Sequence, residues 1–250
     1  MSVSIHNQNT NPAAAKTDLK GLYTLGGVSS ILQLVSILAY SVLLGMLGPK
    51  PTSAIEYFDI YQSSPLEAFL RGDFLLLVLI GLYLGTFPAL YAALQRVSPV
   101  YTALATLFTI MAVAGTFATE SSFSLLHLGE QYVNATSDAM RNHLLSAGEA
   151  VIASDMWNST AAYMGGILLQ GSGVMISVIM LRSKDFSKVT AYSGLLGNGF
   201  DLIQHILHIF LPSISGFITM FMGVFYFVWF PMLARDLFRL SKDAYTVQEF

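Results

Sequence analysis

Long apolar runs dominate the chain, each ended by a short polar stretch. A helix needs about 20 apolar residues to cross the hydrocarbon layer of a bilayer. Six runs meet that length, over 22–47, 74–94, 100–126, 161–181, 189–210 and 214–238. The fourth carries a helical lead-in from Val151, and the sixth emerges near Arg235. Pro88 and Pro231 fall inside spans, where a local kink and neighbouring helices re-satisfy the backbone. The connections 95–99, 182–188 and 211–213 are short, whereas 48–73 and 127–150 are long. Apolar residues recur at helical spacing within 56–69 and 137–150, and Ser137 or Thr136 is placed to cap the latter. Short helices are therefore expected in both long connections. The predicted fold is an all-α, polytopic integral membrane protein with six transmembrane helices. Its membrane domain spans 19–240, between a polar, disordered tail over 1–18 and a C-terminal tail over 241–250.

Charge orients the spans. The N-terminal tail, two short connections and the C-terminal tail hold Lys16, Lys20, Arg96, Arg182, Lys184, Lys188, Arg235, Arg239 and Lys242. Only Lys50, Arg71 and Arg141 lie on the other side. Basic residues stay on the cytoplasmic side of short loops, so both termini are expected in the cytoplasm of a multi-pass cell-membrane protein. Lys16 and Lys20 directly precede a long apolar run, which reads as a retained first span and not a cleaved signal. The outer side gathers Glu56, Asp59, Glu67, Asp73, Glu120, Glu130, Asp138, Glu149 and Asp155. The plain reading is solvated loops; the sharper one is a vestibule that concentrates cations. Two sequons, at Asn134 and Asn158, share that side and carry little weight.

Composition narrows the chemistry. Hydrophobic residues make up 54% and charged residues 11%, about half the charged share of a typical soluble domain, so lipid is the expected solvent. The net charge of −3 gives no footing for nucleic acid. With zero cysteines, thiolate catalysis, disulfides and cysteine metal sites are excluded. There is no phosphate-binding glycine loop, nucleophile elbow or dinucleotide fingerprint, and the spans hold no lysine for a Schiff base.

Polar residues inside the spans are the remaining candidates, because ionisable groups at bilayer depth are costly and tend to serve function. On the fifth span Gly194, Gly197, Asn198, Asp201, Gln204, His205 and His208 share one helical face. Matching stripes are Ser29, Gln33, Ser36 and Tyr40 on the first span, Thr102 through Glu120 on the third, and Tyr163, Gly166, Gln170, Gly173 and Ser177 on the fourth. Gly81 and Gly85 form a close-approach motif on the second. Asp201, His205, Glu120 and Gln170 are candidates for an ion or proton pathway. Asp201, His205 and His208, joined by Glu120 and His127 at similar depth, are candidate ligands for a divalent metal. No other cofactor is implied, and no His-Glu-x-x-His motif exists. The plainer reading pairs Asp201 with His205 or a tyrosine and leaves His208 at the interface.

Four groups of segments resemble a prokaryotic membrane family known as domain of unknown function 4386. They are Pro88 to Ser98 at the second-span exit; Glu130 to Thr136 with Ser146 to Glu149; Val178 to Ser183 with Phe186 to Tyr192 and the glycine-rich fifth span; and Trp229 to Arg239. In this order they cover most of 20–240. The resemblance implies a six-span membrane protein and no particular activity, and the Asp201–His205–His208 stripe lies outside the family pattern.

Three functions follow in rank. The first is a non-enzymatic accessory or assembly subunit of a larger membrane complex, with the bilayer and membrane-protein partners or further copies of itself as neighbours. The second is a small proton or cation transporter or channel using the Asp201 face. The third is an intramembrane metal-dependent hydrolase.

Overall fold

A computed structural model describes residues 12–246, with side chains over 17–243 except that of Pro212. The disordered tail expected over 1–18 falls mostly outside the described residues, but from Pro12 onward the chain is already helical. The described residues form eleven helices: α1 (Pro12–Leu47), α2 (Ala54–Ser63), α3 (Pro65–Arg71), α4 (Phe74–Gly81), α5 (Tyr83–Leu94), α6 (Pro99–Thr119), α7 (Ser122–Val133), α8 (Asp138–Ala153), α9 (Thr160–Met180), α10 (Lys188–Leu207) and α11 (Pro212–Thr246). Five segments are long and apolar enough to cross a membrane: Thr17–Leu47, Phe74–Leu94, Pro99–Val133, Thr160–Met180 and Ser213–Asp243. The α10 helix is 20 residues long but more polar, and it is not among those five.

Local sequence explains the helix starts. Ser53, Ser64, Ser137, Ser159 and Ser187 each accept a backbone N–H from the first turn of α2, α3, α8, α9 and α10. Such caps satisfy donors that a helix start leaves without partners. Pro65 and Pro99 open α3 and α6, where their missing N–H costs nothing. Leu82 interrupts the second apolar run, directly after Gly81 and three residues before Gly85, and Pro88 follows six residues on; proline removes a helical hydrogen bond and crowds the preceding turn. The third run is also divided, α6 ending before Glu120 and α7 starting at Ser122. The lead-in expected before the fourth span is separate too, because α8 stops at Ala153 and a turn precedes α9.

Six elements close a ring. The α1 helix packs on α5, α5 on α6, α6 on α9, α9 on α10, α10 on α11, and α11 back on α1. Small residues allow the close approaches. A Cβ on Gly26 would lie 2.5 Å from the Ala89 Cβ, and one on Gly85 2.2 Å from the Ser29 hydroxyl. The interior holds Phe87, Leu90, Ile176, Met180, Trp229, Phe230 and Leu233. A second core of Ala54, Tyr57, Phe58, Ala68 and Leu125 lies in a cap built by α2, α3, α7 and α8. Gly148 of α8 sits so close to α2 that its Cβ would be 2.7 Å from that of Ala54. Glu149 then accepts the Ala54 N–H at 2.7 Å. The short helices expected in the long connections are thus present and form one packed unit.

Candidate functional site

The stripe on α10 faces α9 and α11, buried from Gly194 to Asp201 and half-buried at Gln204, His205 and His208, and the glycines of α9 are shaped to receive it. A Cβ on Gly166 would meet the His205 ring at 2.0 Å, and a Cβ on Gly173 would meet the Asn198 amide at 2.0 Å. Asp201 and Asn198 are both buried. Asp201 lies thirteen residues into α10, about 20 Å along it at 1.5 Å per residue.

The centre of the site is the Tyr226 hydroxyl of α11. It lies 2.8 Å from Asp201 Oδ2, 3.0 Å from Gln170 Oε1 and 3.4 Å from Asn198 Oδ1. Asn198 Nδ2 donates to the Gly194 carbonyl at 2.8 Å, which fixes that amide's orientation. His205 Nδ1 lies 3.1 Å from Asp201 Oδ1 and 3.2 Å from the Asp201 carbonyl. Both partners only accept unless the carboxyl is protonated, and the carbonyl always accepts, so Nδ1 carries a hydrogen. His208 Nδ1 likewise donates to the His205 carbonyl at 2.8 Å, and its ring packs on Tyr163. Gln204 donates to Ser215 at 3.0 Å. Tyr226 stacks on Phe230, which also packs on Tyr83 of α5.

Of the sequence candidates, Asp201, His205 and Gln170 therefore converge through Tyr226. Glu120 and His127 do not join them. Glu120 ends α6 and accepts the Ser122 N–H at 2.7 Å. His127 is an exposed residue of α7 and pairs with Gln131 at 2.8 Å. Among the described residues no group of three or more His, Asp or Glu side chains is placed to hold a metal ion. Sequence reasoning offers Asp201 a tyrosine partner but does not single out Tyr226, because α11 reads as an aromatic-rich run, Phe225 to Phe230, with no periodicity to mark one ring. Only the count of acceptors on α9 and α10 points to a donor opposite them.

Two further charged clusters lie at the ends of the ring. At the cap end Lys50 Nζ is 2.5 Å from Asp73 Oδ2 and 2.7 Å from Asp155 Oδ2. Both carboxylates are only 2% exposed as residues, so these two acids belong to a buried ion cluster and not to a solvated rim. The Trp157 indole donates to Asp73 at 3.0 Å, and Asp155 Oδ1 accepts the N–H groups of Trp157 and Asn158. Gly48, at φ +88°, turns the chain from α1 toward Lys50. Burial acts to lower the Lys50 ammonium's pKa, but the two carboxylates outweigh it and raise it above the ordinary lysine value. Burial, with the Glu120 charge and Tyr61, raises the nearby Tyr57 hydroxyl.

At the opposite end Asp236 of α11 is fully buried. Its Oδ2 accepts the Ser187 N–H at 2.9 Å and the Thr190 hydroxyl at 2.6 Å, at the start of α10. Negative charge is favoured there by the helix dipole. Arg239 stands 3.5 Å from Asp236 Oδ1, an ion pair without a hydrogen bond, and donates to the Asp185 carbonyl at 2.5 Å. Both ends of α10 are thus tied by polar contacts to its neighbours.

A family model described as Domain of unknown function (DUF4386) matches residues 27–233. No curated protein and no solved structure matches the chain.

Proposed function

Since the chain belongs to that family, a helical membrane protein is the premise, and we propose a six-span protein with both termini cytoplasmic that serves as a non-enzymatic accessory or assembly subunit of a larger membrane complex. Counting α10 as the sixth crossing rests on its length, about 30 Å at 1.5 Å per residue, and on its place in the ring between α9 and α11. The uneven distribution of Lys and Arg supports the orientation. The observation that carries the role is the cap. It has its own core outside the ring, and α8 rests on it by one face, with Leu144 and Gly148 buried and Leu145, Val151 and Ile152 partly buried against the core. The opposite face of α8, including Met140, Arg141 and His143, is exposed. An extramembrane helix so presented suits a membrane-protein partner. Affinity purification at native expression, with crosslinking, tests this. A companion in fixed ratio, lost in Met140→Glu/Arg141→Glu while the protein stays folded, is expected. Recovery of the chain alone would overturn the proposal.

A second reading is a small proton or cation transporter, favoured by the Asp201–Tyr226–Gln170 contacts midway along the ring. Flux into proteoliposomes tests it. An Asp201→Asn variant that transports as well as the parent removes Asp201 from any such mechanism.

A further inference from the structure

The hydrogen bonds around Tyr226 do not balance if Asp201 is ionised and Gln170 presents its Oε1. A phenol hydroxyl has one hydrogen to donate. Here it faces Asp201 Oδ2, Gln170 Oε1 and Asn198 Oδ1. Asn198 cannot turn its amide to help, because its Nδ2 is committed to the Gly194 carbonyl. A proton on Asp201 Oδ2 satisfies the two shorter contacts, since the carboxyl then donates to the Tyr226 oxygen and the Tyr226 hydroxyl donates to Gln170, and only the 3.4 Å approach to Asn198 Oδ1 is left without a hydrogen. Reversing the Gln170 amide also satisfies Tyr226 but leaves Asp201 as a buried carboxylate, which a bilayer interior disfavours without a counter-charge.

The surroundings offer few counter-charges. The α9 helix has no charged residue, and Tyr163, packed on His208, is its titratable group. On α11 the facing group is Tyr226; the nearest basic residue, Arg235, is nine positions on, about 13 Å along the helix. On α10 itself Lys188 is at the far end, Tyr192 is exposed near that same end, and His205 and His208 are the other titratable groups. Tyr83 of α5 stands behind Phe230. His205 is therefore the cation within reach, at 3.1 Å. Neutrality requires a single proton beyond the ionised-acid, neutral-imidazole state, carried either on Asp201 or on His205.

We infer that Asp201 and His205 form a proton-binding site within the membrane, holding one exchangeable proton between them, with Tyr226 and Gln170 closing its far side. Asp201 Oδ2 meets the Tyr226 hydroxyl, which in turn meets Gln170 Oε1. The His205 ring lies against Gly166 with 23% of its side chain accessible, against 9% for Asp201, so the imidazole is the more open side of the pair. The inference rests on α10 crossing the bilayer, but on neither the accessory nor the transport role.

Infrared pH-difference spectroscopy on the full chain in lipid nanodiscs tests it. At neutral pH the protein is expected to show either a carboxylic-acid carbonyl band or an imidazolium band, one per molecule. That band disappears on alkalinisation and is lost in Asp201→Asn. Should Asp201→Asn not fold, His205→Gln decides, because the proton must then sit wholly on Asp201 and give the carboxylic-acid band. Ionised Asp201 beside neutral His205 in the parent, or ionised Asp201 in His205→Gln, overturns the inference. Side-specific labelling of the connections around α10 reads its crossing separately, so a failed topology and an unoccupied proton site give different results.

Discussion

Replacing Lys50 by methionine removes the one cation that Asp73 and Asp155 share. Their Oδ2 atoms lie 2.5 and 2.7 Å from the same nitrogen. Removing it leaves two buried carboxylates no more than about 5 Å apart, a distance at which like charges repel strongly in a low dielectric. Breaking a buried ion pair on one side costs about 3–5 kcal/mol. The Lys50 side chain is 18% exposed, which favours the lower end, about 3 kcal/mol. For a chain of this length that lowers Tm by about 6–12 °C. Tryptophan fluorescence provides the assay, because the chain has two tryptophans. Trp157 donates to Asp73 and reports the cluster, while buried Trp229 reports the ring. The folded lysine has a raised pKa, so its stabilisation is complete below the ordinary lysine value and is lost as pH rises through the raised one. The gap between parent and Lys50→Met should therefore stay constant at neutral pH and narrow only in strong alkali. A Lys50→Met/Asp73→Asn/Asp155→Asn variant should recover most of the loss, since an amide oxygen in place of the Asp155 carboxylate still accepts the Trp157 and Asn158 N–H groups. A Lys50→Met melt within about 1 °C of the parent, a few tenths of a kcal/mol, would refute the ion-cluster reasoning.

Other outcomes can be checked on the same purified protein. Gly173→Ala places a methyl 2.0 Å from the Asn198 amide and should cost about 1–3 kcal/mol by thermal melting, whereas Gly171→Ala, with nothing within 4 Å, should be neutral or slightly stabilising. Tyr226→Phe removes the hydroxyl shared by α9, α10 and α11 and should cost about 1–3 kcal/mol. Asp236→Ala strips the buried acceptor from Ser187 and Thr190 and should destabilise by about 2–4 kcal/mol, with amide exchange rising first in the opening turn of α10.

The apolar runs disclosed most of the helices because run length and period are local properties. The α10 stripe was legible for the same reason, since Asn198, Asp201 and His205 recur at helical spacing. Its partners were harder to read. Tyr226 is 25 residues from Asp201, Asp236 is 46 residues from Thr190, and Lys50 is 105 residues from Asp155. No periodicity links such pairs, and a carboxylate in a connection looks solvated until its lysine is found. The segments that carried the family resemblance take on defined work in the fold. Gly148 and Glu149 hold α8 to α2, and Ser187 and Thr190 meet Asp236.

We propose above all that a polar helix, α10, crosses the membrane with its polar face turned inward. The chain has zero cysteines, so single-cysteine labelling needs no background removal. Lys184→Cys precedes α10 and Leu211→Cys follows it. In intact cells a membrane-impermeant maleimide is expected to label Leu211→Cys directly, and Lys184→Cys only after the membrane is opened. Labelling of both positions from the same side would contradict the account.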